Sequence, residues 1–168
     1  TLSADASVGF RDIIEENWNE QWEQSLQPIE IGKRLTVKPS WTDYVNTDQR
    51  CIIHIDPKMS FGTGYHETTR LTLQMLETHL RGGDRVLDVG TGTGILAIAS
   101  VKLGASMAVG IDNDEWAIDN ARDNVIANGV SNLVAIGTQP LSEFRPSQFD
   151  LITANLTLNT IIGMLGEF

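Results

Sequence analysis

Val86-Leu87-Asp88-Val89-Gly90-Thr91-Gly92-Thr93-Gly94 is an apolar, β-branched run that breaks into alternating glycines, and a helical pattern opens at Ile95. The order predicts a buried strand, a turn whose glycines let backbone N–H groups come close to a ligand that a Cβ would exclude, and then a helix. One helix later, Met107-Ala108-Val109-Gly110-Ile111 reads as a second strand with Asp112 at its end. An acid about 20 residues beyond such a turn is placed to accept hydrogen bonds from both hydroxyls of a ribose. Together these features predict a grip for a nucleotide cofactor.

Glycine spacing separates two cofactor classes. A dinucleotide turn reads Gly-x-Gly-x-x-Gly, with its third glycine inside the helix and the pyrophosphate on the helix N-terminus. Here the glycines alternate as Gly90-x-Gly92-x-Gly94, and the acid just before them is Asp88. The wider loop suits a cofactor without phosphate, and Asp88 suits a cationic ligand, so the expected cofactor is S-adenosylmethionine. A glycine turn alone is weak, because plain structural turns use the same residues. Strand, loop, helix, strand and acid in order make it specific.

The surrounding pattern predicts the fold. Strands at about 85–89, 106–111, 132–136 and 149–154 alternate with helices at about 94–103, 114–128 and 157–166, the rhythm of a Rossmann-like, doubly wound α/β sheet. Asn128-Gly129 is a left-handed stop for the second of these helices. Asn155 falls at the C-terminal end of the fourth strand, where open α/β sheets bind ligands. If the sheet ends at that strand, its unpaired edge invites self-association.

Two segments precede the glycine turn. Residues 1 to about 27 are polar and helix-like, with Trp18 and Trp22 at i, i+4 and Ile14 one turn earlier, and read as a connector helix packing on the core. Pro28 ends it. Residues 29–55 read as short strands, Leu35-Thr36-Val37 and Cys51-Ile52-Ile53-His54-Ile55, separated by a break at Pro39-Ser40-Trp41. The expected division is a linker helix over 1–28 and a catalytic core over 29–168.

Phe61-Gly62-Thr63-Gly64-Tyr65-His66-Glu67-Thr68-Thr69 then forms a second glycine-rich loop, opening a helix from about Thr68 to Leu80. Free N–H groups at that helix start could hold a carboxylate such as the methionine end of the cofactor carries. The plainer alternative is a capped loop. His54, in an apolar strand, and His79, at a helix end, read as structural.

Size and charge bound the rest. A chain of 168 residues suits one domain. No apolar stretch approaches the ~20 residues of a membrane span, and Thr1-Leu2-Ser3-Ala4-Asp5 lacks the basic and apolar regions of a secretory signal, so a cytoplasmic location without a membrane partner is expected. Cys51 is the single cysteine, which excludes an internal disulfide and a Cys-rich metal site, and no metal is expected. A formal net charge of −10 argues against direct nucleic-acid binding and for a basic partner, although acidity also simply keeps proteins in solution.

Phe61-Gly-Thr-Gly-x-His-x-Thr-Thr69, the run from Asp88 through Gly94 to Ala99, Gly110-Ile-Asp-x-Asp114 and Ala154-Asn155-Leu156 together resemble the bacterial ribosomal protein L11 methyltransferase family. The likeness extends from about Trp18 to Leu156 and includes Gly32-Lys-Arg-Leu-Thr-Val-Lys-Pro-Ser-Trp41. It implies a class I S-adenosylmethionine-dependent methyltransferase fold that methylates amino groups, lysine or N-terminal, of a ribosomal protein. It also implies that Thr69 contacts the cofactor, Gly90 and Gly92 line the turn, Asp112 holds the ribose and Asn155 sits by the transferring methyl. Phe61, Thr63 and His66 would be pocket walls, with His66 toward the substrate. Thr91 and Thr93 stand where the family usually has Cys and Ser, Glu67 where it has proline, and Leu156-Thr157 where it favours Ile-Leu. Against the family pattern, an N-terminal recognition domain and the last strands of the sheet are expected to be missing from this chain.

Asn155 suits the chemistry. Methyl transfer to an amine is an in-line displacement in which the protein supplies proximity and orientation, and an amide oxygen can accept a hydrogen bond from the incoming amine. A turn or cap role is the ordinary alternative for such an Asn. Enzymes that methylate a planar nitrogen would be expected to show Asn-Pro-Pro-aromatic here, whereas Asn155-Leu156-Thr157 carries no aromatic, which favours an aliphatic amine. A small-molecule methyltransferase and a non-catalytic S-adenosylmethionine-binding module are the alternatives.

Overall fold

The structure, a computed structural model, describes residues 22, 23, 25–58 and 60–166. The element order is β1 (Ile29–Ile31), β2 (Leu35–Lys38), β3 (Cys51–His54), α1 (Glu67–His79), β4 (Arg85–Val89), α2 (Ile95–Leu103), β5 (Met107–Ile111), α3 (Glu115–Ala127), β6 (Val134–Gly137), β7 (Leu151–Ala154) and α4 (Leu158–Met164), with two short 3-10 turns between β6 and β7. Strands β4 to β7 form a parallel sheet in the order β6-β5-β4-β7, while β1, β2 and β3 form a separate small sheet. The expected α/β fold with a Rossmann-like parallel sheet is present, and the first helix starts one residue earlier than its sequence pattern suggests.

Period-two alternation in β4 sends Val86 to one face and Leu87 and Val89 to the other. Val86 joins Ala108, Val134, Leu73 and Ile53 in a core that runs under both sheets. Leu87 and Val89 join Ile111 and Leu141 in a smaller cluster, closed by Phe144, Phe149 and Met164. Between the sheets lies α2, whose sequence Ile-Leu-Ala-Ile-Ala-Ser-Val-Lys-Leu is apolar almost all round. Such a helix must be buried on every side. It touches β3 above and β4, β5 and β6 below, so one helix glues the small sheet to the parallel one.

The connector helix expected over 1–27, with Ile14 and Trp18, lies mostly outside the described residues. At its end the packing differs from expectation. Trp22 is 44% exposed, and Leu26 at 3% is the side chain that enters the interior. A branched aliphatic can be buried without a polar N–H to satisfy, as an indole has.

Ile98, fully buried in the middle of α2, tests the sandwich. Ile98→Ala should lower unfolding free energy by about 2–5 kcal/mol, read from chemical denaturation curves; a loss below about 1 kcal/mol would mean α2 is not enclosed by both sheets.

Candidate active site

At the C-terminal ends of β4, β5, β6 and β7 lies a cavity of about 800 Å³. Its walls include Phe61, His66, Gly90, Gly92, Asp112 and Asn155, so six of the nine residues singled out from sequence come together in one place. Thr69, Asp88 and Thr63 do not line it. Each of the three serves the site from behind.

Asp88 is the largest departure from expectation. Its carboxylate is completely buried beneath the turn and meets no cavity. Thr91 Oγ1 donates to Oδ2 at 2.7 Å, and Thr153 Oγ1, from the neighbouring strand, donates to Oδ1 at 2.7 Å. The Ala97 backbone N–H also favours the charged carboxylate. Ala97 is the third residue of α2, and the helix N-cap, Gly94, has no side chain to offer. Asp88 therefore lies beneath the positive end of α2, inside the protein. Gly110 makes this possible, because a Cβ there would lie 2.6 Å from Thr91 Oγ1.

The glycine turn also behaves differently from its sequence reading. Its N–H groups do not reach toward a ligand, because each is committed internally. Gly90 and Thr91 donate to the Ile111 carbonyl, Thr93 to Phe61 and Gly94 to Thr91. Gly92 N–H donates to Asp112 Oδ2 at 2.9 Å. The cavity thus sees bare glycine backbone rather than an anion-binding row of donors. Gly92, at φ +54°, must be glycine, since a Cβ would stand 2.3 Å from the Phe61 carbonyl oxygen.

That contact joins the two glycine-rich loops. Thr93 Oγ1 donates to the Gly62 carbonyl at 2.6 Å while Thr93 N–H donates to Phe61. Phe61 is held at the mouth, its ring tilted against His66 with centroids 5.4 Å apart. His66 caps α1, its Nδ1 accepting from Thr68 N–H at 3.3 Å and lying 2.8 Å from Thr68 Oγ1. The helix start is therefore already capped. Thr63 Oγ1 takes the Tyr65 N–H within the same turn.

Asp112 and Asn155 both line the cavity, just beyond the ends of β5 and β7. Asp112 accepts from Gly92 and, through Oδ1, from Asp114 N–H at 3.1 Å. A carboxylate has about four acceptor sites, so capacity remains for two further donors. Asn155 is oriented by its own nitrogen, Nδ2 donating to Thr69 Oγ1 at 3.1 Å. With the donor end tied, Oδ1 is the free end. Thr69 is wholly buried and acts on the site through Asn155.

The sequence reading missed Thr138, Gln139, Pro140 and Leu141, which follow β6 and line the cavity beyond Asp112, and Thr160 and Met164 of α4. The first four could have been found from position alone, because they leave the C-terminal end of the strand next to β5. Cys51 and His54 stay structural. Burial pushes the Cys51 thiol up, and burial with nearby Lys38 and Lys102 holds the His54 imidazole below its ordinary value. Among the described residues no cluster of metal ligands occurs.

Residues 2–168 match the family model described as ribosomal protein L11 methyltransferase (PrmA). The chain belongs to that family. It is 44% identical over 163 residues to the ribosomal protein L11 methyltransferase of Desulforamulus reducens, covering 96% of this chain and 53% of that one. An Exiguobacterium relative of the same name is 41% identical over 160 residues, with 95% of this chain and 51% of the relative covered. The chain therefore spans about half the length of the curated relatives it matches. The crystal structure of a ribosomal protein L11 methylase from Lactobacillus delbrueckii subsp. bulgaricus superposes with TM-score 0.75 at 33% identity, covering 83% of this chain and 72% of the other. An RNA methyltransferase from Salinibacter ruber in complex with S-adenosyl-L-homocysteine shares the fold at TM-score 0.52, 22% identity and coverage of 57% and 64%. The fold is that of class I S-adenosylmethionine-dependent methyltransferases.

For this member of the ribosomal protein L11 methyltransferase family, Asp88 carries a pH signature. Burial, and to a lesser degree the charge on Asp112, pushes its carboxyl up to about 6, against the pull of the Thr91 and Thr153 hydroxyls and the Ala97 N–H. A carboxyl raised above its unfolded value binds its proton more tightly when folded, so its contribution to stability is complete below about pH 4 and is lost as pH rises through about 6. The loss is on the order of 3 kcal/mol. Asp88→Asn removes this titration, so the stability of wild type relative to the variant should fall as pH is raised from 4 to 7.5. Parallel curves in chemical denaturation would exclude a perturbed Asp88.

Proposed function

We propose that this chain carries the catalytic core of an S-adenosylmethionine-dependent protein N-methyltransferase acting on amino groups of ribosomal protein L11. The core comprises residues 29–168, entered through a linker helix over 1–28, and the enzyme works in the cytoplasm. Family membership supports the substrate, and the formal charge of −10 suits a basic ribosomal protein. No helix among the described residues is long and apolar enough to cross a membrane.

The observation that carries the reading is a pair of acceptors with spare capacity in one cavity, the Asp112 carboxylate after β5 and Asn155 Oδ1 after β7. The residues fit the cofactor. Val89, Ile111, Leu141 and Leu156 supply apolar wall for a nucleoside, Asp112 can accept from both ribose hydroxyls, and bare glycine backbone leaves room for the methionine part. S-adenosylmethionine would supply an electrophilic methyl, passed to an amine nitrogen as its carbon–sulfur bond breaks to leave a neutral thioether and an ammonium product. Asn155 accepts a hydrogen bond from the neutral amine and aims its lone pair along that line. Thr69 keeps the amide from turning over. Phe61 and His66 exclude water at the mouth, and Leu156 and Thr157 wall the path for a slender aliphatic amine.

S-adenosylhomocysteine should raise the melting temperature of the wild-type chain, and nicotinamide dinucleotides should not. Asp112→Ala loses two hydrogen bonds to a charged group and should weaken binding about 100-fold. Asn155→Ala should bind S-adenosylhomocysteine within about threefold of wild type yet transfer methyl to ribosomal protein L11 about 10- to 100-fold more slowly. Calorimetry and radiolabel transfer measure the two quantities, and an Asn155→Ala turnover equal to wild type removes that residue from the reaction.

A further inference from the structure

Three asparagines on α3, at positions 120, 124 and 128, face an extended segment that leads from β3 toward the Phe61 loop. Amides four residues apart on a helix advance about 6 Å, and every second peptide of an extended chain advances about 6.6 Å. The two repeats nearly match. A side-chain amide also carries one acceptor and a donor group, as a peptide does, so α3 can stand in for a pairing strand.

The bonds follow that pattern. Asn128 Oδ1 accepts from His54 N–H at 3.0 Å, and its Nδ2 donates to the His54 carbonyl at 2.6 Å. Asn124 Oδ1 accepts from Asp56 N–H at 3.0 Å, two residues on. Asn120 Nδ2 donates to the Pro57 carbonyl at 2.5 Å. Asn124 differs from the other two in one respect. Its Nδ2 also donates to the Thr93 carbonyl at 2.9 Å, inside the glycine turn. The same Thr93 is bound through its N–H and hydroxyl to Phe61 and Gly62. At 1% exposure Asn124 has no water to replace these partners.

We propose that Asn124 is a positioning residue for the cofactor turn, a single buried amide that fixes the Thr93 peptide relative to the segment feeding the Phe61 loop and to the helix that follows Asp112. It touches no ligand. Its effect on the cofactor rests on the function proposed above, whereas its effect on the turn does not. Losing it frees the Thr93 carbonyl, and the register of Gly92 against both Asp112 and Phe61 loosens.

Asn124→Asp is nearly isosteric, keeps the acceptor for Asp56 and sets an oxygen against the Thr93 carbonyl. Asn128→Asp makes the same exchange one turn further from the site, at His54, and controls for general destabilisation. With both variants fully folded at the working temperature, Asn124→Asp should weaken S-adenosylhomocysteine binding about tenfold or more, equivalent to about 1.4 kcal/mol, while Asn128→Asp stays within about threefold at a comparable loss of melting temperature. Hydrogen exchange at the Gly92, Thr93 and Gly94 amides should speed up in Asn124→Asp alone. Equal effects of the two variants, or unchanged exchange at those amides in Asn124→Asp, overturn the proposal. Should wild type itself fail to bind S-adenosylhomocysteine, the proposed function falls, and the exchange measurement still decides the role of Asn124. If Asn124→Asp does not fold, Asn124→Ser carries the same comparison.

Discussion

A buried carboxylate at the start of α2 is the constraint on which the site is built. The N-terminus of a helix offers unpaired N–H groups and partial positive charge, and in dinucleotide-binding folds a pyrophosphate takes both. Here Asp88 lies beneath that end, its charge favoured by the Ala97 N–H, while its two oxygens accept from Thr91 and Thr153. With the turn amides also committed internally, the cavity offers largely apolar walls, neutral hydroxyl and amide side chains, and the Asp112 carboxylate, with no cationic side chain of Lys or Arg. Such a surface favours a ligand that brings its own donors and positive charge. A sulfonium nucleoside and an amine do so, and a diphosphate does not.

The remaining geometry follows from holding that turn still. Gly110 makes room for Thr91, Gly92 lets the Phe61 carbonyl come close, and Thr93 ties down Gly62. Each is a short contact that one extra carbon or one lost hydroxyl would disturb. The Thr91 and Thr93 hydroxyls each make a bond that a turn of this shape uses. Asp112 and Asn155 then follow strand ends whose spacing the parallel sheet sets, so the distance between the two side chains is a property of β5, β4 and β7 rather than of a loop.

Much of this was legible from the amino acids. Strand and helix order came from β-branched runs, glycines and the Asn128-Gly129 stop, because those residues act locally and leave a periodic trace. The gathering of Phe61, His66, Gly90, Gly92, Asp112 and Asn155 followed from their positions at strand ends and loop starts. The burial of Asp88 was not legible, since an acid before a glycine turn looks the same whether it lines a cavity or lies under the chain, and its partner Thr153 is 65 residues away. The contact of Thr69 with Asn155 left no sequence signal for the same reason, the two being 86 residues apart. The pairing of the asparagines along α3 left no sequence signal, because nothing in one helix reveals that an extended segment lies against it.

The most direct measurement is a crystal structure of this chain grown with S-adenosylhomocysteine. The account predicts ribose hydroxyls on the Asp112 carboxylate, the sulfur directed toward Asn155 Oδ1, and the Gly90–Gly94 amides still bonded to the protein as in the free chain. A nucleoside bound outside this cavity, or turn amides that swing out to take a phosphate from a dinucleotide, would contradict it.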